Sequence, residues 1–347
     1  MKSDNQEFSA SVTDGPYLFY NDNGIISIRG EWTNWKFSSE KKNFPNSEIE
    51  SKLHEVLISQ NQSNFTFKIC KSHQIPPYKY DTVDRVFCIS DVEGDFNYFQ
   101  KMLLTHGIMD ERYNWTYGSG HLVVLGDIFD RDDFVTEVLW LMYKLDQEAS
   151  SFGGVIHIIL GNHESMCLSG DDRYIHKKYR RFAEDIGYKY KELYSNKTVL
   201  GAWLRTKNSV EIINKILFVH GGISPVLSSQ GMKIKAINDI VRNALDRTKS
   251  GNLNSSESLV MGSNGPLWYR GYVKKEIDTK VIKTILDIFN VEQIVIGHTV
   301  VDSVCSLYDG SVFAIDIKRK NKDIYESLLI ENGQFYKATS QGKIIPL

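Results

Sequence analysis

The sequence is short of cysteine, of net charge and of long apolar runs, and each shortage excludes a class of protein. Its four cysteines form no CxxC pair and no dense disulfide framework, which favours a reducing compartment. Lysine and arginine number 41 against 43 aspartates and glutamates, which argues against nucleic acid as a partner. No stretch reaches the roughly 18–20 apolar residues of a spanning helix, and the start is too polar for a signal peptide. We therefore expect a soluble, cytoplasmic protein with no membrane partner.

The composition is otherwise typical of a folded protein. The first quarter of the chain differs from the rest in its sequence pattern. The 347 residues are 41% apolar and 24% charged, enough for one large domain or two smaller ones. Short β-type runs at 24–29 and 65–70 flank a polar stretch at 37–51 that reads as a loose insert, disordered in part. We predict a β-rich N-terminal extension over 1–84 and a main domain over 85–347.

From residue 85 onward the pattern is strand, loop and helix, repeated. Near-continuous apolar runs are typical of strands buried on both faces, as in an α/β sandwich. The predicted strands are 85–90, 122–125, 155–160, 216–219 and 294–296. Helical stretches are predicted at about 95–107, 133–148, 173–198, 233–248 and 279–289.

Each of these five strands ends in a glycine-containing turn that presents Asp, Asn or His. Residues just beyond strand carboxyl ends meet in the crevice where open α/β sheets bind ligands. Carboxylates and an amide oxygen are hard metal ligands, imidazoles are borderline ones, and glycines allow close approach. Taken singly, each turn is an ordinary turn or helix cap, but together they predict a metal site. The turns are 91–95, 126–132, 161–164, 220–222 and 297–299.

These turns resemble the signature blocks of the calcineurin-like metallophosphoesterases, and more narrowly those of the phosphoprotein phosphatase family. The stretches 161–174 and 265–272 are similar to the Shewanella-like phosphatase branch. The resemblance covers about residues 85–317. It implies an α/β fold, a metallophosphoesterase-type β-sandwich flanked by helices, with 85–347 as the catalytic domain.

The resemblance also implies roles for individual residues. His163 would be the general acid, oriented by Asp130, and Arg131 and Arg270 would hold phosphate oxygens, since a planar guanidinium matches a phosphoryl group bidentately. Two metal ions about 3.5–4 Å apart need a bridging carboxylate, which Asp127 would supply. The implied metal ligands are Asp91, Glu93, Asp127, Asn162, His220 and His298, with Asn162 also facing the substrate.

Two further arginines are candidates for substrate binding. Arg173 lies in a Gly-Asp-Asp-Arg-Tyr stretch and could help to position substrate, although a structural ion pair explains it as well. Arg205 precedes the strand that leads to His220 and could reach the site from a lid.

The sequence departs from the family pattern at two positions. Glu93 stands where the family has histidine, which makes the first metal site more anionic and favours Mn²⁺ or Mg²⁺ over Fe or Zn. Alternatively Glu93 turns away and leaves a one-metal or damaged site. Asp132 replaces the usual glycine after Arg131 and could tie up that guanidinium, or it is a surface residue without a role.

We therefore predict a phosphatase that hydrolyses phosphomonoesters by attack of a metal-bridging hydroxide. Its cofactors would be two divalent metal ions, Mn²⁺ first, with Mg²⁺, Fe or Zn as alternatives. The substrate would be a phosphoprotein, with Ser/Thr and Tyr both open, or a small phosphorylated molecule. One alternative is a dinucleoside polyphosphate hydrolase with Trp268 and Tyr269 stacking on a base. Another is a catalytically weak protein that only binds phosphate.

Overall fold

The computed structural model describes residues 12–34, 36–60, 62–319 and 324–347. The strands are β1 (Val12–Asn21), β2 (Gly24–Thr33), β3 (Lys36–Pro45), β4 (His54–Ile58), β5 (Ser63–Phe67), β6 (Lys79–Tyr80), β7 (Arg85–Ile89), β8 (His121–Val124), β9 (Val155–Ile158), β10 (Val210–Ile213), β11 (Ile216–Val219), β12 (Gln293–Ile296), β13 (Cys305–Leu307), β14 (Val312–Ala314), β15 (Glu326–Glu331), β16 (Gln334–Thr339) and β17 (Ile344–Pro346). The helices are α1 (Phe96–Thr105), α2 (Val135–Ser150), α3 (Asn162–Ser169), α4 (Lys177–Asp185), α5 (Val199–Leu204), α6 (Pro225–Ser228), α7 (Ile234–Ala244), α8 (Ser255–Met261) and α9 (Thr279–Phe289).

Two six-stranded sheets form the centre of the molecule. One has the order β13-β14-β12-β11-β10-β6 and the other β17-β16-β15-β7-β8-β9. Strands β7, β8 and β9 run parallel to one another, as do β11, β12 and β14. The carboxyl ends of each set therefore lie at the same end of their sheet. One buried apolar cluster draws side chains from both sheets, among them Cys88, Val123, Phe218 and Val295. The predicted sandwich and its five strands are confirmed.

Helices cover the outer faces of the sandwich, as predicted. Helix α2 is buried almost throughout because the N-terminal strands cover the side turned away from the sheet. The indole of Trp140 donates to the carbonyl of Pro16 at 2.9 Å and stacks on Phe67 at 4.1 Å. No helix among the described residues is long and apolar enough to cross a membrane.

The N-terminal strands form a three-stranded antiparallel sheet, β1-β2-β3, and a separate β4-β5 hairpin. The β-rich character predicted for this part of the chain is therefore present. The prediction of a loose insert at 37–51 is wrong over its first part, because Lys36–Pro45 forms a strand that pairs along the whole of β2. An edge strand with an exposed face needs no apolar alternation, which hid it in the sequence. One hydrophobic cluster contains side chains from both sides of residue 84, including Tyr17 and Phe182.

Candidate active site

The turns that follow β7, β8, β9, β11 and β12 meet at one end of the sandwich. They border a cleft of about 770 Å³. The cleft is lined by Asp91, Glu93, Asp95, Asp127, Arg131, Asp132, His163, Arg270, His298, Val300, Asp316, Ile317, Lys318, Arg319 and Tyr325. Asn162 and His220 are buried behind this lining. His220 contacts Asn162 and also Asp127, which lines the cleft.

The backbone is strained where these turns meet. A non-glycine residue in the left-handed region costs of order 1–3 kcal/mol and persists only where its surroundings hold it. Six such residues border or adjoin the cleft, with φ of 50° at three of them and up to 77° at Asp130. They are Asp91, Glu93, Asp127, Asp130, Arg131 and His298. The fold therefore holds these side chains at a conformational cost, as functional sites commonly do.

Glu164 ties the second and third turns together. Its buried carboxylate accepts hydrogen bonds from the backbone N–H groups of Asp127 at 2.9 Å and Gly161 at 2.7 Å. Between the same turns, Gly126 has a φ of +78°, and a Cβ there would lie 2.6 Å from the Gly161 nitrogen. The turns can therefore pack this closely because position 126 carries no side chain.

Four acceptor atoms converge behind the cleft. The Nδ1 of His220 faces the carbonyl of Leu125, which can only accept, so Nδ1 carries a proton and Nε2, which has a lone pair in the neutral ring, faces the other three atoms. That Nε2 lies 3.2 Å from Asp127 Oδ1, 3.0 Å from Asn162 Oδ1 and 3.1 Å from His298 Nδ1.

This donor set fits a divalent cation. Lone pairs that face one another in a buried space repel unless a proton or a metal ion lies among them. Of these four atoms, the guanidinium of Arg270 reaches only His298 Nδ1, at 3.4 Å. Burial alone would lower the pKa of His220, but the Asp127 carboxylate outweighs burial and raises that pKa to about 10. The cluster therefore attracts positive charge. Imidazole, carboxylate and amide groups are also the ligand types of transition-metal sites.

A second candidate ligand group lies beside the first and shares Asp127 with it. Ligand atoms of Glu93, Asp127 and His163 lie within 4.8 Å of one another. Asp91 contributes a buried carboxylate whose Oδ2 accepts from the backbone N–H of His298 at 3.0 Å. Burial raises the pKa of Asp91, so a nearby cation would stabilise its charged form.

Glu93 does not turn away from the cleft, but its oxygens face arginines. Arg131 Nε lies 2.9 Å from Glu93 Oε1, and Arg319 lies 3.5 Å from Oε2. Burial raises the pKa of Glu93 to about 7, the Asp91 carboxylate adds to the rise, and the two arginines oppose it. The ion pair of Arg131 is thus with Glu93, while Asp132 lines the cleft beside it.

His163 and Asp130 form a buried pair. The Nδ1 of His163 is hydrogen-bonded to Asp130 Oδ2, and its Nε2 lies 3.7 Å from Asp127 Oδ2. Burial alone would lower the pKa of His163, but the carboxylates of Asp127 and Asp130 outweigh burial and raise it to about 9. The two carboxylates therefore favour the imidazolium, the form in which a histidine acts as a general acid. The thiol of Cys167 donates to the other oxygen of Asp130 at 3.2 Å.

The structure brings two of the four candidate substrate-binding arginines to the cleft. Arg131 is largely exposed there, and Arg270 donates to the carbonyl of His298 at 2.6 Å. Arg173 is exposed, pairs with Asp171 at 2.8 Å, and does not line the cleft.

Arg205 lies away from the cleft as well. It donates to the carbonyls of Tyr194 and Gly201 and pairs with Asp246, so its donors serve the fold. Neither guanidinium lines the cleft, so the substrate contacts expected of Arg173 and Arg205 stay predictions.

Several residues that line the cleft were not identified from the sequence, among them Asp316, Arg319 and Tyr325. Asp316 follows β14 in the same strand-then-acid pattern as Asp91, so that pattern could have found it. Burial raises the pKa of Asp316 to about 9. Arg319 and Tyr325 carry no comparable signal, because nothing local in the sequence aims them at the cleft.

Known proteins share both the sequence pattern and the fold. A sequence profile of the calcineurin-like phosphoesterases matches residues 84–302. Shewanella-like protein phosphatase 2 from Arabidopsis thaliana is 23% identical over 306 residues, 75% of either chain. The cold-active protein-tyrosine phosphatase of a psychrophilic Shewanella species is 34% identical, covers 97% of this chain and 99% of its own, and superposes with a TM-score of 0.86. The chain belongs to the calcineurin-like phosphoesterase family.

Proposed function

We propose that the protein is a metal-dependent phosphatase that removes phosphate from proteins, with phosphotyrosine as its preferred substrate. The observation that carries this proposal is the His163–Asp130 pair, set beside the acceptor cluster in one cleft. A general acid of raised pKa serves bond cleavage, whereas phosphate binding alone needs no proton donor. The names of its relatives, a tyrosine phosphatase and a protein phosphatase, support the same substrate class.

The residues present would hold two divalent cations, with Mn²⁺ the first choice. Asp127, Asn162, His220 and His298 would hold one, and Asp91 and Asp127 would contribute to the other. When bound, such ions offset the carboxylate charge, polarise the phosphoryl group and make water a stronger nucleophile at neutral pH.

The chain itself supplies phosphate binding and a proton. Arg131 and Arg270 bind the phosphoryl oxygens at the mouth of the cleft. As water adds to phosphorus and the ester P–O bond breaks, His163 gives its Nε2 proton to the departing oxygen. Nδ1 stays on Asp130, which stabilises the imidazolium and fixes the ring orientation. The products are inorganic phosphate and the free hydroxyl group.

An aromatic side chain beside the general acid supports an aryl leaving group. The Tyr174 ring is 51% exposed, and its centroid lies 5.6 Å from that of His163. Its carbonyl accepts from the backbone N–H of Arg131 at 3.0 Å, which fixes this segment against the phosphate-binding turn. A phosphotyrosine ring seated at this edge could pack on Tyr174, whereas phosphoserine offers no such surface.

The dinucleotide alternative receives less support. Trp268 and Tyr269 line a neighbouring groove of about 570 Å³ that meets the cleft at Arg270. The Trp268 ring packs against the His298 ring, with centroids 5.9 Å apart, whereas the Tyr174 ring packs against that of the general acid His163. Trp268 and Tyr269 therefore do not form a surface for base stacking beside the general acid.

The test compares phosphate release from peptides of one sequence carrying phosphotyrosine or phosphoserine, and from diadenosine tetraphosphate. The full chain reconstituted with Mn²⁺ should prefer the phosphotyrosine peptide, and Tyr174→Ala should reduce that preference. Faster turnover of diadenosine tetraphosphate would replace this proposal with the alternative.

We also propose a cytoplasmic location. The four cysteines are free thiols, and two of them, Cys88 and Cys167, are buried. Such thiols persist without pairing in a reducing compartment. Fractionation of cells that express the tagged chain would test this location.

A further inference from the structure

Glu93 lies between two guanidinium groups, one on each carboxylate oxygen. Arg131 Nε is 2.9 Å from Oε1, and Arg319 Nη2 is 3.5 Å from Oε2. The side chains of Glu93 and Arg319 are only 14% and 12% exposed, whereas that of Arg131 is 61% exposed. The contact therefore joins the exposed side chain of Arg131 to the largely buried side chains of Glu93 and Arg319.

Arg319 is held by more than this carboxylate. Its Nε lies 3.7 Å from Asp95 Oδ2, and its guanidinium carbon lies 4.8 Å from the centre of the Tyr98 ring. Tyr98 is fully buried on α1, so the ring provides a fixed surface for the planar group. Arg319 is thus fixed independently of Arg131.

A carboxylate is the side chain that can serve both arginines at once. Its two oxygens accept separately, so one can stay on Arg319 while the other orients Arg131. A neutral imidazole offers a single acceptor atom and could hold only one of them. The glutamate at 93, where the family has histidine, is therefore matched to the arginine at 319.

We propose that Arg319 is a positioning residue that acts through Glu93 on Arg131, and that Glu93 anchors these arginines instead of ligating metal. The proposal rests on the function proposed above, in which Arg131 binds the phosphoryl group. Arg319 holds Glu93, Glu93 holds the exposed guanidinium of Arg131 at the cleft, and phosphate then meets a preorganised arginine.

The first test is a double-mutant cycle read by phosphate binding. Calorimetry would give the Kd of inorganic phosphate for the full chain loaded with Mn²⁺, for Arg319→Met, for Arg131→Met and for both together. We expect Arg131→Met to weaken binding roughly tenfold or more and Arg319→Met about three- to tenfold. In the Arg131→Met background the change at 319 should have no further effect. Arg181→Met, an exposed arginine paired with Asp185, is the matched control.

Additive effects at 131 and 319 would overturn the proposal, because they would mean that Arg319 acts on phosphate without Arg131. If Arg131→Met left phosphate binding unchanged, the function proposed for Arg131 would fail instead. Arg319→Lys, which keeps the charge but not the planar fork, covers the case in which Arg319→Met does not fold. It should weaken phosphate binding in the same Arg131-dependent manner.

The second test asks whether Glu93 ligates metal. Elemental analysis of Glu93→Gln after Mn²⁺ loading should give the same metal content per chain as the unmodified protein, together with weaker phosphate binding. Loss of metal from Glu93→Gln would overturn the anchoring role.

Discussion

The carboxylate of Asp130 is hydrogen-bonded to Nδ1 of His163, and both side chains are buried. This contact fixes which ring nitrogen faces the cleft, because Nδ1 is engaged and Nε2 is left for the substrate. It also stabilises the imidazolium that a general acid requires before it gives up its proton. Asp130 thus both orients His163 and supports the proton transfer proposed for it.

Replacing His163 should expose the leaving-group dependence of the reaction. For His163→Asn we expect kcat for phenyl phosphate to fall roughly 10²–10⁴-fold, since proton transfer to a poor leaving group contributes about that much. Turnover of 2,4-dinitrophenyl phosphate, whose leaving group needs no proton, should change far less. Equal losses for both substrates would contradict the acid role, provided that metal content is unchanged.

The pH profile should follow the protonated form of His163. Its pKa is raised to about 9, so the imidazolium is present below that pH and is lost above it. We therefore expect kcat for phenyl phosphate to decline at alkaline pH, as His163 loses its proton. Asp130→Asn removes one of the stabilising carboxylates, so its decline should begin at lower pH. An unshifted decline in Asp130→Asn would show that another group controls this limb.

The thiol of Cys167 should matter through Asp130. It donates to Asp130 Oδ1, which leaves Oδ2 to His163. We expect Cys167→Ala to lower kcat for phenyl phosphate severalfold, because a buried carboxylate oxygen loses its donor. Cys167→Ser keeps a donor and should retain most of the activity. If serine and alanine reduced kcat equally, the hydrogen bond would not be the cause.

The N-terminal strands should be essential for stability. Phe67 stacks on Trp140 of α2, and both are buried. Phe67→Ala should lower the free energy of unfolding by about 3–5 kcal/mol, measured by chemical denaturation. Phe152→Ala is the matched control, because Phe152 is 60% exposed and its loss should cost little. Residues 85–347 expressed alone should not fold, and a stable truncated protein would show that the extension is a separate domain.

The parts of the fold that were predicted are those in which local pattern and tertiary environment agree. A helix is predicted at 279–289, and the structure has it at those residues. The helix expected over 173–198 is instead split into α4 and a 3₁₀ turn at Tyr190–Tyr194, and α5 begins only after it, at Val199. Gly187, with a φ of +81°, ends the first piece, and its effect was underestimated.

Site residues that directly follow a strand could be predicted from the sequence. Site residues placed by contacts with residues far away in the sequence could not. Asp91, Asp127 and His298 follow apolar strands, so their meeting follows from sheet geometry alone. The place of Arg319 depends on Tyr98 and Glu93, which lie more than two hundred residues away in sequence. Arg205 had a suggestive position, but a linear motif does not tell which way a long side chain turns.

The most direct test of the account is metal-dependent phosphate release from a phosphotyrosine peptide. The full chain would be stripped with a chelator, verified as metal-free by elemental analysis, and reconstituted with Mn²⁺. We predict that the stripped protein releases no phosphate, because its acidic cleft repels the substrate, and that Mn²⁺ restores release in the unmodified chain but only weakly in Asp127→Asn. Undiminished release by the verified metal-free protein would contradict the account.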